Sequence, residues 1–206
     1  MSSSQWYSLL IEDNITMHTP EAANSRQFRP SRAELAWPDN DWDNTWRLAR
    51  LRGLGSAVKT FLWKLLHNLL PTQERVSRIS KPENSSPLCK LCHDQLVEDQ
   101  LHAFFLCQGN SRPSRALINS ITYLLPNLTT RQILLLDFVL DETQEFPVVW
   151  TVGNFLQLVW SSRMEKRQVR LYAIRAEMEA RASLLRETRF AEHHEMIDKL
   201  LQTYFN

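Results

Sequence analysis

Apolar side chains recur at helical spacing along most of the chain after residue 41. The pattern is strongest over residues 56–70, where the apolar positions share one face of a helix and polar residues lie opposite. That face is formed by Val58, Phe61, Leu62, Leu65, Leu66 and Leu69. We therefore predict an amphipathic helix here that ends at Pro71, because proline cannot continue a helix without losing a hydrogen bond.

Two shorter helices are predicted on either side of this one. The upstream helix has Asp41 or Asp43 as its cap, and Gly53 and Gly55 end it. Its buried face is spaced i, i+4 and i+7 and consists of Trp42, Trp46 and Ala49. A third helix begins after Thr72, whose hydroxyl can accept a hydrogen bond from the first turn.

Helical patterns continue to the end of the chain. They cover residues 97–107, 112–125, 129–140, 146–160, 161–187 and 193–205. In the long charged segment 161–187, four apolar residues fall seven apart: Met164, Leu171, Met178 and Leu185. This heptad fragment is compatible with self-association through a coiled coil. Because Arg167 and Arg181 interrupt the second seam, packing onto the rest of the chain is the favoured interpretation.

All three cysteines lie within 19 residues, in the spacing Cys89-x2-Cys92-x9-His102-x4-Cys107. Thiolate sulfur and neutral imidazole are the ligands that Zn(II) prefers, and four of them complete a tetrahedron. The spacing therefore predicts a zinc site with no position left for water or substrate. Such a closed site is structural.

Other interpretations of this segment stay open. The cysteines can be ordinary buried apolar residues, or Cys89 and Cys92 a redox pair, although no βαβ pattern surrounds them. His93 is an alternative ligand, but it points away if Cys92 already binds the metal. Glu98 stands four residues before His102, where it either orients the imidazole or is an ordinary carboxylate near a helix N-terminus.

The predicted fold is mainly α. It consists of an extended arm (1–41), a small zinc-stabilised helical module (42–110), and a helical C-terminal region (111–206) that includes the long amphipathic helix. Gly is scarce, with four residues in 206, which favours helices over a turn-rich β fold.

The net charge of +1 conceals a basic block. Residues 47–90 carry nine Lys or Arg against two acids, which gives +7 and can attract phosphate. The candidate nucleic-acid contacts are Arg47, Arg50, Arg52, Lys59, Lys64, Arg75, Arg78 and Lys90, with Trp63 as a ring for base stacking. The alternative is that the cations solvate helix faces and that Trp63 packs against the zinc loop.

Several classes of function are not indicated. The sequence has no Gly-rich phosphate loop, no nucleophile–histidine–acid arrangement and no paired aspartates of a polymerase, so we expect no catalytic activity. It has no run of 18 apolar residues and no secretory leader, so neither a membrane span nor export is expected. The odd cysteine count favours a reducing, intracellular compartment.

Read in order, these motifs resemble a known family, the zinc-binding region that follows the reverse transcriptase domain in non-LTR (LINE-type) retrotransposon polyproteins. The resemblance covers about residues 42–107. It rests on a tryptophan pair, a Lys-x-Phe-x-Trp helix followed by Leu-Pro-Thr, and the cysteine window with its glutamate and histidine. In this chain these are Trp42, Trp46, Lys59, Phe61, Trp63, Leu70, Pro71, Thr72, Cys89, Cys92, Glu98, His102 and Cys107.

The resemblance implies zinc bound by Cys89, Cys92, His102 and Cys107, and a non-catalytic role beside template RNA or target DNA during target-primed reverse transcription. It implies the reverse transcriptase domain of the parent polyprotein as a partner, and a nuclear location. Since no polymerase core lies upstream, we expect a C-terminal part of such a polyprotein or a shortened reading frame. The alternative function is a zinc-folded structural or protein-interaction remnant that binds no nucleic acid.

Overall fold

The computed structural model describes residues 37–80, 86–92, 94–165 and 169–204. Within these ranges the regular structure is helical, apart from an isolated antiparallel bridge between Leu88 and Val97. The helices are α1 (Trp42–Ala49), α2 (Ser56–Leu66), α3 (Gln73–Ile79), a π-helix (His102–Leu106), α4 (Ser111–Thr122), α5 (Thr130–Leu135), α6 (Glu142–Met164), α7 (Leu171–Leu185) and α8 (His194–Tyr204). The predicted mainly α fold is confirmed.

Helix α2 ends earlier than the sequence predicts. Asn68, not Pro71, marks the stop, because it adopts a left-handed conformation with φ of 53°. The amide of Leu69 then donates to the carbonyl of Lys64 at 2.7 Å, and the amide of Asn68 to that of Leu65 at 2.9 Å. This pair of bonds is a Schellman motif, which satisfies the free carbonyls at a helix end.

Helix α1 also ends before its predicted glycines. Asp41 caps it by accepting from the amide of Asn44, as predicted, but the last helical residue is Ala49. Gly53 lies in the following turn with φ of 92°, where a Cβ atom would come within 2.7 Å of the rings of Phe146 and Phe190. Glycine is therefore needed here for both conformation and space.

Helix α6 lies at the centre of the fold and is buried all round from Phe146 to Leu156, whereas its first turn is exposed or half-buried. The sequence predicts one apolar face here, and all of it is buried: Val148, Val149, Val152, Phe155, Leu156, Val159 and Trp160. Trp150, Thr151 and Asn154, which lie outside that face, are buried as well. A helix that is buried all round is typical of a core position. Gly153 lets α2 approach closely, since a Cβ atom there would lie 2.8 Å from Cγ1 of Val58.

The long charged helix predicted over residues 161–187 is wrong as a single element. Helix α6 ends at Met164 and α7 begins at Leu171. Helix α7 packs back on α6 and α8 with one buried row, formed by Ile174, Met178, Ala182 and Leu185. Packing within the chain, the favoured interpretation, accounts for this buried row, and self-association through the helix stays a prediction.

Two other segments differ from prediction. Helix α5 covers only Thr130–Leu135 of the predicted 129–140, because Leu136 is left-handed with φ of 55°. Residues 97–99 precede the helical turn and do not form part of it. Helix α3 and its cap Thr72 are as predicted.

Both predicted parts of the chain, 42–110 and 111–206, contribute to the core. Buried apolar residues from Leu48 to Leu201 form one cluster, in which α6 packs against both α2 and α7. The boundary at residue 110 stays a prediction, and most of the predicted arm, residues 1–36, lies outside the described residues. None of the described helices combines the length and apolar character that crossing a membrane requires.

Candidate metal centre

Cys89, Cys92, His102 and Cys107 come together at one point of the fold. Their ligand atoms all lie within 4.8 Å of one another. The sulfur atoms of Cys89 and Cys107 are 3.8 Å apart, and the sulfur of Cys92 is 3.4 Å from Nε2 of His102. In a tetrahedron with the bond lengths typical of zinc, S–S and S–N edges are roughly 3.8 and 3.5 Å. The two measured distances therefore fit an ion of this size between the four atoms.

A short loop holds the first two cysteines. The bridge between Leu88 and Val97 closes it, since the amide of Cys89 donates to the carbonyl of Leu96 at 2.9 Å. Inside the loop the amide of Leu91 points at the sulfur of Cys89 at 3.4 Å. An N–H directed at sulfur stabilises a thiolate. His93, the alternative ligand, lies outside the described residues.

A π-helix, not the predicted α-helix, carries the other two ligands. Its widened turn is closed by a hydrogen bond from the amide of Cys107 to the carbonyl of His102 at 2.9 Å. In a π turn, residues i and i+5 are joined directly, so one backbone bond links the two metal-ligating residues. Asp99 fixes the start of the turn by accepting from the amide of His102 at 2.6 Å.

Side chains from the following segment satisfy carbonyls of this π-helix. Asn110 donates to the carbonyl of Ala103 at 2.6 Å, and Ser114 donates to that of Phe104 at 2.5 Å. Both side chains are buried. Because buried carbonyls without partners are costly, these two residues stabilise the turn that sets the spacing of His102 and Cys107.

Burial shifts the pKa of two of the ligand residues, Cys89 and His102. Cys89, His102 and Cys107 are buried and Cys92 is half-buried. Burial raises the pKa of the Cys89 thiol to about 12. Burial, followed by the positive charge of Arg163, lowers the pKa of His102, which favours the neutral imidazole that binds metals. A metal that binds here must therefore displace the thiol proton of Cys89.

Arg163, near the end of α6, is a residue of this site that sequence reasoning missed. Its Nη2 lies 3.5 Å from the sulfur of Cys89 and 2.6 Å from Oε2 of Glu98. The two side chains are 3% and 8% exposed, so this is a buried ion pair in contact with the ligand cluster. Seventy-four residues separate Arg163 from Cys89, and no local motif connects them.

This ion pair changes the role of Glu98. Both of its carboxylate oxygens are engaged away from the imidazole, with Oε1 accepting from the amide of Gln73 at 3.3 Å and Oε2 from Arg163. The predicted hydrogen bond to His102 is therefore not the arrangement observed. Glu98 also precedes the helical turn, so it does not share a helix face with His102. Its carboxylate orients Arg163 towards Cys89.

The candidate nucleic-acid residues differ in their exposure and in their ion pairs. Arg75 is buried and donates to the carbonyl of Asn68 at 2.9 Å, so it cannot reach a phosphate and is withdrawn from the set. Arg47 and Arg78 are exposed but form ion pairs with Glu145 and Glu74. The remaining cations are Arg50, Arg52 and Lys90, which are exposed, and Lys59 and Lys64, which are half-buried.

Trp63 is 48% exposed, and its ring contacts His67 with 4.6 Å between centroids. The ring therefore packs against His67, whereas the alternative prediction places it against the zinc loop. The ring of His67 also contacts Trp46 on α1. The sequence does not reveal this contact, because it depends on how α1 and α2 pack together.

Comparison with known proteins agrees with this cluster. Residues 25–112 match the family described as zinc-binding in reverse transcriptase. The resemblance inferred from the motifs is thereby confirmed, and all four cluster residues lie within the matched range. The region is thus similar to a zinc-binding module associated with reverse transcriptases. No curated protein and no solved structure matches the chain.

Proposed function

We propose that Cys89, Cys92, His102 and Cys107 bind one Zn(II) ion that folds the surrounding segment. The observation that carries this proposal is the approach of three sulfur atoms and one imidazole nitrogen to within 4.8 Å. This donor set is typical of structural zinc, and the match to a zinc-binding family supports the choice of metal. Four protein ligands leave no open position, so the ion holds structure and activates no water.

We further propose that the chain is a non-catalytic accessory module of a non-LTR retrotransposon reverse transcriptase. The family match supports the association with reverse transcriptase. The module contacts RNA or DNA beside the polymerase during target-primed reverse transcription, which takes place in the nucleus. Its phosphate contacts are the exposed cations of the basic block, Arg50, Arg52 and Lys90, together with half-buried Lys59 and Lys64.

Salt-dependent binding tests the nucleic-acid part of this proposal. The zinc-loaded chain is titrated into a labelled single-stranded RNA and a labelled DNA at several salt concentrations. In the triple variant Arg50→Gln, Arg52→Gln, Lys90→Gln, the slope of log K against log salt should become less negative by about 2. Each phosphate contact on a single strand contributes about −0.7 to this slope.

A triple variant with the same charge change elsewhere is the control. Arg112, Arg115 and Arg189 are exposed cations outside the basic block, and their replacement by Gln should leave the slope unchanged. Equal slopes for the two triple variants would contradict phosphate binding by the basic block, as would affinity weaker than micromolar at low salt.

A protein-interaction module is the second candidate. Leu96, Val97 and Leu106 lie between Cys92 and Cys107 in the sequence and are 50%, 48% and 57% exposed. Exposed apolar side chains close together are typical of contact surfaces. If the chain binds no nucleic acid, binding of the purified reverse transcriptase domain that is lost in Leu106→Ser would support this candidate, and unchanged binding would contradict it.

A further inference from the structure

An aromatic row crosses the junction of α1 and α2. His67 lies between two tryptophans, with ring centroids 4.9 Å from Trp46 and 4.6 Å from Trp63. Trp42 extends the row, 5.9 Å from Trp46. The imidazole of His67 packs against Trp63. Because 48% of Trp63 is nevertheless exposed, part of its ring surface remains in contact with solvent.

A cleft of about 330 Å³ opens between the two tryptophans. Its lining consists of Trp46, Ala49, Arg50, Lys59, Thr60 and Trp63. The guanidinium of Arg50 lies 5.8 Å from the centroid of the Trp46 ring, within the range of a cation–π contact. Of these lining residues none is acidic, so the cleft combines two aromatic walls with two positive charges.

We propose that this cleft binds unpaired bases of single-stranded nucleic acid. A base stacks on the exposed part of Trp63, while Arg50 and Lys59 contact the phosphates on either side of it. This site rests on the proposed nucleic-acid binding, for which it gives both the location and the single-stranded form of the ligand.

The chemistry of the cleft selects this ligand. Every base has a π face that can stack on an indole, and the adjoining phosphates complement Arg50 and Lys59. In a duplex both faces of each base are already stacked and unavailable to Trp63. The cleft therefore discriminates between paired and unpaired nucleic acid, whereas phosphate contact alone discriminates poorly.

Oligonucleotides with and without bases test this proposal directly. Binding of the zinc-loaded chain is measured by fluorescence anisotropy at low salt with a labelled single-stranded DNA, an abasic strand of equal length, and the duplex. Stacking contributes about 1–3 kcal/mol per base, so Trp63→Ala should weaken binding to the base-bearing strand roughly 5- to 150-fold. The same variant should leave affinity for the abasic strand unchanged.

Two further variants complete the design. Trp63→Phe retains a ring and should recover part of the lost affinity, and it also provides a readout if Trp63→Ala does not fold. Tyr172→Ala is the matched control, because Tyr172 is an aromatic residue 66% exposed on α7. It should bind every strand as the parent does.

The possible results separate the two proposals. If the parent binds the base-bearing and abasic strands equally, or if Trp63→Ala weakens both equally, stacking is overturned and phosphate contact stands. If the parent binds no strand, the proposed nucleic-acid function fails as well. Selective loss on the base-bearing strand, with rescue by Trp63→Phe, supports the cleft as the stacking site.

Discussion

In the metal-ligand segment, residues 86–92 and 94–110, Leu96 and Val97 are exposed, so the cysteine loop has little buried apolar surface, whereas Phe104 and Phe105 of the π-helix are buried in the core. Helix α6, by contrast, buries Val148, Val149 and a succession of later residues completely. The two regions touch, with the rings of Phe104 and Trp160 5.8 Å apart, yet different forces hold them. We propose that metal binding by four ligand atoms organises the cysteine loop of the first region, whereas burial of apolar surface stabilises the second.

The two kinds of stabilisation leave different patterns in the sequence. Apolar spacing reveals α6 and α2 because burial follows the helical period. Ligand spacing reveals the metal cluster because the residue types are restricted to a few. Arg163 joins the two regions, but neither apolar spacing nor ligand spacing identifies it in the sequence.

Removing one metal ligand should have the largest effect. Structural zinc contributes about 10–16 kcal/mol of apparent binding free energy in small domains, so Cys92→Ser should abolish stoichiometric zinc and unfold the metal-ligand segment. Zinc content by mass spectrometry and thermal unfolding with and without chelator measure this. Lys90→Ser, an exposed change in the same loop, should retain zinc and melt as the parent does. Identical melting of parent and Cys92→Ser under both conditions would count against the metal.

Breaking the buried ion pair tests the link between the regions. Arg163→Met leaves the carboxylate of Glu98 buried without its partner and should lower the free energy of unfolding by about 3–5 kcal/mol. Because Arg163 also contacts Cys89, zinc affinity should fall roughly 10- to 100-fold.

Two comparisons isolate the effect on the metal. Adding Glu98→Gln to Arg163→Met should restore part of the stability without restoring zinc affinity, as measured by competition with a chelating dye. Arg181→Met removes hydrogen bonds to Asn154 and Gln157 on α6 and should not change zinc affinity. If Arg163→Met binds zinc as tightly as the parent, the ion pair serves the core alone.

A core substitution should affect only the second region. Leu62 is fully buried on α2, and Leu62→Ala should cost about 2–5 kcal/mol through lost apolar contacts and the cavity left behind. Zinc stoichiometry should stay at one per chain. Loss of zinc in this variant would show that the two regions do not fold by separate means.

The close approach of α2 and α6 provides the smallest expected effect. Gly153→Ala places a Cβ atom 2.8 Å from Val58, which costs about 1–3 kcal/mol, partly offset by about 1 kcal/mol of helix propensity. In a Val58→Ala background the clash is removed, so the same substitution should become neutral or stabilising. Denaturant unfolding of the four proteins gives the coupling free energy. Equal effects in both backgrounds would exclude this contact as the cause.

Features that depend on local sequence patterns were predicted, whereas those that depend on backbone conformation or packing were not. The buried face of α2, the caps Asp41 and Thr72 and the four ligand residues depend on local patterns and were predicted. The stop at Asn68 depends on a left-handed backbone conformation that several residue types can adopt. The break between α6 and α7 interrupts a continuous helical pattern, and it depends on how α7 packs back onto α6.

Two features of the site lie beyond local patterns altogether. The residues between His102 and Cys107 could equally form an α-helical turn, and the hydrogen bonds from Asn110 and Ser114 to carbonyls of this turn stabilise the wider π form. The ion pair of Glu98 and Arg163 depends on a contact between residues 65 positions apart, which a single sequence does not encode in its periodicity.

X-ray absorption at the zinc edge of the purified chain tests most directly whether these four residues form one structural zinc site. We expect one zinc per chain with three sulfur ligands at about 2.3 Å and one nitrogen at about 2.0 Å. His102→Ala should remove the nitrogen contribution. A coordination shell of oxygen and nitrogen alone, or a chain that purifies without zinc and melts as it does with zinc, would contradict it.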